Sequence, residues 1–97
     1  MKPSDPSPVV NHDAAARCFE VILGNHRSEL TYVFEGEQVV FTHTFVPPEL
    51  RGRGVAEKLA RAALDWARHE RKRVVPACSY VAKFIERHPE ARELLAD

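Results

Sequence analysis

The sequence predicts a compact α/β (α+β) fold: a three-strand antiparallel meander, then a β-α-β unit with parallel strands, then C-terminal helices. Three observations carry this expectation. Short apolar runs separated by glycine-bearing turns fill residues 18–46. From Val55 to about Arg71 the pattern switches to helical periodicity. A short apolar run at Val74 to about Ala77 then follows a basic corner.

The elements follow in order. Residues 1–17 hold Pro3, Pro6 and Pro8 among Ser, Asn and Asp, a composition that does not pack. They are expected to form a flexible tail ahead of a domain spanning 18–97. Residues 18–23 (CFEVIL) alternate around Phe19, Val21 and Leu23 and predict a strand. Gly24-Asn25-His26 predicts a turn, and residues 29–34 (ELTYVF) a second strand rich in β-branched and aromatic side chains. Glu35-Gly36-Glu37 turns the chain into a longer strand at 38–46 (QVVFTHTFV). Connections this short imply antiparallel neighbours.

Pro47-Pro48 ends that strand, because proline cannot donate to a ladder. In the helix, Val55, Leu59, Ala62 and Trp66 form one stripe, beside small residues at Ala56, Ala60, Ala63 and Ala67. Small side chains let a helix lie close to a sheet. Glu57–Arg61 and Arg61–Asp65 are i,i+4 pairs on its polar side. The strand from Val74 should run parallel to the one at 38–46, across a helical crossover. Residues 79–96 are helical by pattern, with Pro89 dividing them into two helices.

The totals bound the function. Ninety-seven residues make one domain. With 44% hydrophobic and 29% charged residues, the chain reads as soluble and globular. A formal net charge of zero argues against nucleic acid or an anionic membrane as partner. Two cysteines, with no Cys-x-x-Cys, suggest free thiols, no metal site and a reducing compartment. No apolar run approaches the ~18 residues of a membrane span, and the opening residues lack the apolar stretch of a signal peptide. Cytoplasmic localisation is expected. Exposed strand edges in a short domain make a monomer or a weak homodimer the expected state.

The most informative stretch is Thr44–Leu59 (TFVPPELRGRGVAEKL), in which a strand ends, two glycines follow and a helix opens. The first N–H groups of a helix lack intrahelical partners, and the helix dipole adds positive potential there, so the corner suits phosphate oxygens. Gly52 and Gly54 permit unusual dihedrals and close approach. Arg51 and Arg53 add cationic donors. The plain alternative is a turn whose glycines only redirect the chain. The stretch is not a Walker loop, since no G-x-x-x-x-G-K-[ST] occurs. Nor is it a dinucleotide fingerprint, since Glu57 stands where a third glycine would fall.

The Arg51-x-x-Gly54-x-Ala56 spacing resembles the pyrophosphate motif of the GNAT acetyltransferase superfamily, Arg/Gln-x-x-Gly-x-Gly/Ala. More narrowly, Val74-Val75-Pro76-Ala77-Cys78-Ser79-Tyr80 and His88-Pro89 resemble stretches shared by small GNAT-like "N-acetyltransferase domain" proteins. The resemblance implies that acetyl-CoA (coenzyme A) lies between two parallel strands that splay apart. Its pyrophosphate would meet the backbone of Gly52, Arg53, Gly54, Val55 and Ala56, with Arg51 and Lys58 nearby. Its pantetheine arm would run along Phe45 and Val46. The expected reaction is acetyl transfer to a primary amine of a small molecule or protein.

Acetyl transfer needs a neutral amine, a stabilised oxyanion and a proton for the departing thiolate. Many GNAT enzymes supply that proton from a tyrosine, and the corresponding position here is Ile85. Cys78 is the candidate substitute, as acid or nucleophile; the alternative is a small buried hydrophobe. His43 alternates with Phe41 and Phe45, is expected to share their face, and is the candidate base; the alternative is a core or edge histidine. The basic residues Arg68, Arg71, Lys72 and Arg73 suit a 3′-phosphate, an acidic partner or solvent. A non-catalytic CoA-binding regulatory module is the competing function. A nucleic-acid-binding domain is disfavoured by the balanced charge.

Overall fold

A computed structural model describes residues 9–96. Strands β1 (Asn11–Asp13), β2 (Cys18–Leu23), β3 (His26–Glu35), β4 (Gln38–Phe45) and β5 (Arg73–Pro76) form one sheet in chain order. The first four pair antiparallel, whereas β4 and β5 run parallel. Between β4 and β5 the chain forms a 3-10 turn at Pro48–Leu50 and helix α1 (Val55–His69). Helix α2 (Ser79–Arg87) and a second 3-10 segment (Pro89–Leu94) follow β5.

The alternation in the sequence sorts residues to two faces. Phe19 opposes Leu30 and Val21 opposes Ser28, all buried. Tyr32 opposes Phe41 on that same face, and Val39 and Val74 lie side by side farther along it. The small stripe works as its composition suggests: Ala60, Ala63 and Ala67 are at most 1% exposed, with Val55, Leu59 and Leu64 beside them. Val81, Phe84 and Ile85 of α2 join the same buried cluster. Both helices therefore cover one face, giving a two-layer domain. Val33 and Val40 oppose each other on the second face, where Val33 is 40% exposed.

Residues 9–17 depart from the expected tail. Asn11–Asp13 pairs with β2, Asp13 Oδ1 accepts from the Ala16 N–H at 3.1 Å, and Arg17 (φ 57) closes the turn. The strand carries no apolar alternation of its own. It is held by His12, whose ring stacks on Phe19 at 4.1 Å and meets the Trp66 edge at 4.9 Å. The first eight residues of the expected tail lie outside the described residues.

Two further boundaries moved. β3 starts at His26 rather than Glu29, because Gly24 (φ 61) tightens the hairpin and lets His26 oppose Leu23. The second C-terminal helix is 3-10 rather than α, and beyond it Leu95 bridges Val74 while the Ala96 N–H reaches the Val74 carbonyl at 2.9 Å.

The feature that positions the site is a bulge in β4. Tyr32 opposes Phe41, but the adjacent Thr31 opposes His43, leaving Thr42 as an extra residue. A bulge bends a strand and increases its twist. On the other edge of β4, pairing with β5 runs from Gln38↔Arg73 to Phe41↔Pro76 and ends there. Pro76 has no N–H to extend the ladder. The Cys78 N–H makes one last contact to the Phe41 carbonyl, at 2.9 Å. β4 then continues through Thr42, His43, Thr44 and Phe45 without β5 beside it.

Candidate functional site

The wedge opened between β4 and β5 leads to the start of α1. Leu50, 3% exposed, anchors the 3-10 turn in the core and fixes where the following loop begins. Gly52 (φ 82) and Gly54 (φ 76) are both left-handed, a conformation that costs other L-residues about 1–2 kcal/mol. A Cβ at either position would meet nothing within 4 Å, so backbone conformation rather than crowding requires glycine there. Gly54 is the N-cap of α1 and supplies no side-chain cap, so the first-turn N–H groups keep their donors free of one. Such successive amides form an anion-binding concavity.

A cavity of about 260 Å³ lies against this corner, lined by Val46, Leu50, Arg51, Gly52, Gly54, Val55, Ala56, Glu57 and Tyr80. Arg51 Nε donates to the Val46 carbonyl at 3.0 Å, which ties the loop to the end of β4 and leaves other guanidinium N–H groups at the cavity wall. Glu57 brings a carboxylate to the rim. Arg61 pairs with it at 3.1 Å and offsets its charge. Burial, and after it the neighbouring Glu57 carboxylate, raises the Tyr80 phenol above its ordinary range.

Six of the predicted residues line this cavity: Val46, Arg51, Gly52, Gly54, Val55 and Ala56. Arg53 lies in the loop with its side chain exposed. Lys58 instead faces a different cavity with Val10, Arg61, Ala62 and Asp65. Phe45 is 44% exposed and opposes Glu29 on the face away from the helices.

The two predicted catalytic residues are not brought together. Cys78 is buried at the N-cap of α2, and its Sγ lies 3.1 Å from Thr44 Oγ1. His43 is exposed and opposes Thr31, on the open face of the sheet. The expectation that His43 shares the face of both Phe41 and Phe45 is therefore corrected. Phe41 is fully buried toward the helices, whereas His43 and Phe45 lie on the opposite face. The extra residue Thr42 breaks the alternation, and its Oγ1 meets Thr31 Oγ1 at 2.8 Å on that same open face. No hydrogen bond joins His43 to Cys78 among the described residues.

Thr44 and Tyr80 are the site residues that the sequence reading missed or left undecided. Thr44 carries no signal beyond standing two residues before the strand's expected end. Tyr80 lies two residues after Cys78, which fixes it on the first turn of α2 beside the cavity. Ile85 is 3% exposed and belongs to the core cluster, as an apolar residue at that position should. The residues Arg68–Arg73 lie toward the other end of α1: Arg68 pairs with Glu93, Arg73 donates to the Glu93 carbonyl at 2.7 Å, and Lys72 lies over Phe34.

Residues 18–94 match the family described as GCN5-related N-acetyl-transferase. The chain is 42% identical over 91 residues to Protein NATD1 of Bos taurus, covering 90% of this chain and 80% of the bovine one. It is 41% identical over 83 residues to Protein NATD1 of Gallus gallus, covering 82% and 76%. With Protein NATD1 of Danio rerio the figure is 36% over 88 residues, covering 88% and 80%.

Proposed function

This chain belongs to the GCN5-related N-acetyltransferase family, and on that basis we propose that it binds acetyl-CoA at the β4–α1 corner and transfers the acetyl group to a primary amine. The single observation carrying the proposal is the uncapped start of α1, opened by two left-handed glycines onto a cavity at the mouth of the β4–β5 wedge. The residues fit the group. Backbone N–H groups of residues 52–56 suit a pyrophosphate, with Arg51 as a cationic wall. The unpaired edge of β4 from Thr42 to Phe45 offers amides and carbonyls to a pantetheine arm, much as an added strand would.

When bound, acetyl-CoA would supply an activated acyl group: the amine nitrogen would bond the acetyl carbon and give up a proton as the C–S bond breaks, and the sulfur would take one. The chain's own contributions follow from placement. Cys78 and Thr44 form a hydrogen-bonded pair where β4 and β5 part, so either can hold or pass a proton at that point. Tyr80 keeps a protonated hydroxyl at the cavity wall. We assign His43, on the open face, as the base toward an acceptor amine bound on that face. Free amines with pKa near about 10.4 are almost wholly protonated at neutral pH, which is why a base helps. Two free, buried thiols suit a reducing, cytoplasmic setting. We expect a monomer or weak homodimer, with no nucleic acid or membrane partner.

A second reading is a non-catalytic CoA-binding module. The burial of Ile85, where resemblance to GNAT enzymes implies a tyrosine acting as acid, favours it, as does the separation of His43 from Cys78. Thiol release from acetyl-CoA, followed across small amines, polyamines and peptides, separates the two. Amine-dependent release that falls in His43→Ala supports the transferase. CoA binding with no release above the protein-free rate leaves only the module.

A further inference from the structure

We propose that Lys83 and Arg87 of α2 hold the 3′-phosphate of coenzyme A, so that the protein selects CoA over its 3′-dephospho form. This inference rests on the coenzyme A reading above and assigns the far end of that ligand.

Beside the glycine corner lies a second cavity of about 160 Å³, lined by Glu57, Tyr80, Lys83, Phe84, Arg87 and His88. Glu57 and Tyr80 line both cavities, so the two adjoin. A ligand with its diphosphate at the first can extend into the second without crossing the core.

The second cavity has the chemistry of a phosphorylated nucleoside site. Lys83 and Arg87 are four residues apart on one helix face and both exposed. Neither forms an ion pair among the described residues, unlike Arg27, Arg61 and Arg68, each of which has a carboxylate. Two cations that no carboxylate pairs among the described residues complement a phosphate monoester, whose charge near neutral pH is about −1.5 to −2. Arginine adds a fork that fits phosphate oxygens. Glu57 is the one acid in the lining, and Arg61 already engages it.

The wall behind these cations is flat and fixed. The rings of Phe84 and His88 stack at 4.0 Å and 14°, and His88 Nδ1–H donates to the Phe84 carbonyl at 2.8 Å. Phe84 is buried beneath His88 and also meets the Arg61 guanidinium at 5.5 Å, so the surface left beside the cations is the His88 ring, with Tyr80 earlier on the helix. The other basic stretch is a poor rival. Arg68, Lys72 and Arg73 are engaged by Glu93 and Phe34, roughly 20 Å along α1 from its start.

The test is calorimetric titration of the full chain with CoA and with 3′-dephospho-CoA, repeated on a Lys83→Gln/Arg87→Gln double variant. The parent should bind CoA about tenfold or more tighter than dephospho-CoA, the worth of one to two charge-assisted contacts. The double variant should reduce that ratio to near one, while its affinity for dephospho-CoA stays within about twofold of the parent's. That unchanged affinity also reports an intact fold. Equal affinities for the two ligands in the parent, or equal weakening of both in the variant, overturns this inference alone. A parent that binds neither ligand overturns the coenzyme A reading, and this one with it.

Discussion

Thr44 Oγ1 and Cys78 Sγ meet at 3.1 Å just past the last paired residues of β4 and β5. The contact exists because the bulge at Thr42 and the ladder-ending Pro76 part the strands there. Below them the sheet is closed. Beyond them β4 runs on alone toward the glycine corner.

If this pair handles the proton that the departing sulfur needs, Cys78→Ala should lower kcat by at least about tenfold, within the range of general acid contributions. Affinity for CoA should change by less than about threefold. Thr44→Val should lower kcat in the same direction by a smaller factor. Mass spectrometry after incubation with acetyl-CoA and no amine adds a second readout. Direct attack leaves Cys78 unmodified, and an acetylated Cys78 would replace it with a two-step transfer.

The wedge itself is testable by deleting Thr42. Without the extra residue Phe41 and His43 become neighbours opposite Tyr32 and Thr31, and β4 regains a regular ladder. The strand should then lie straighter beside β5. The expected outcome is a cooperative thermal transition with CoA affinity lowered about tenfold or more. Retained affinity in a folded deletion variant would show that the bulge does not make the binding wedge.

The β1 hairpin should make stability pH-dependent. His12 is exposed as a residue, and only the partial burial of its ring holds the imidazole below its ordinary value of 6.5, against smaller opposing effects of Asp13 and Glu70, so the contribution to stability is small. Tyr32, Phe19 and Trp66 pack around it, and its Nε2 lies 2.6 Å from Tyr32 Oη. As pH falls below about 6.5, the unfolded chain takes up a proton that the folded chain resists, so stability is lost on that side. Urea midpoints should fall in the parent from about pH 7.5 to about pH 5.5, roughly one unit either side of the ordinary histidine value. In His12→Asn they should fall less.

Much of this was legible in the residues. Phe19, Val21 and Leu23 mark β2, the switch of period at Val55 marks α1, and Arg51-Gly52-Arg53-Gly54 marks the corner that the cavity lines. β1 was not legible, because Asn-His-Asp has no apolar period. It forms through contacts of His12 with residues far along the chain. The bulge was hidden for a similar reason: Thr42 is a good strand residue, with neither glycine nor proline to signal an insertion. Strict alternation joins His43 to the face of Phe41 as well as Phe45, whereas the bulge keeps it with Phe45 alone and turns Thr44 toward Cys78. Lys58 follows the corner in sequence, but helical rotation turns it to the cavity shared with Val10 and Asp65.

The most direct measurement is calorimetric titration of CoA against the parent, Gly54→Asn and Gly54→Glu. Asparagine tolerates the left-handed conformation at this position and adds no charge. Glutamate brings a carboxylate to the amides that should hold the diphosphate. We predict near-parental affinity for Gly54→Asn and a loss of at least about tenfold for a folded Gly54→Glu. Equal affinity in all three proteins would contradict the assignment of coenzyme A to the start of α1.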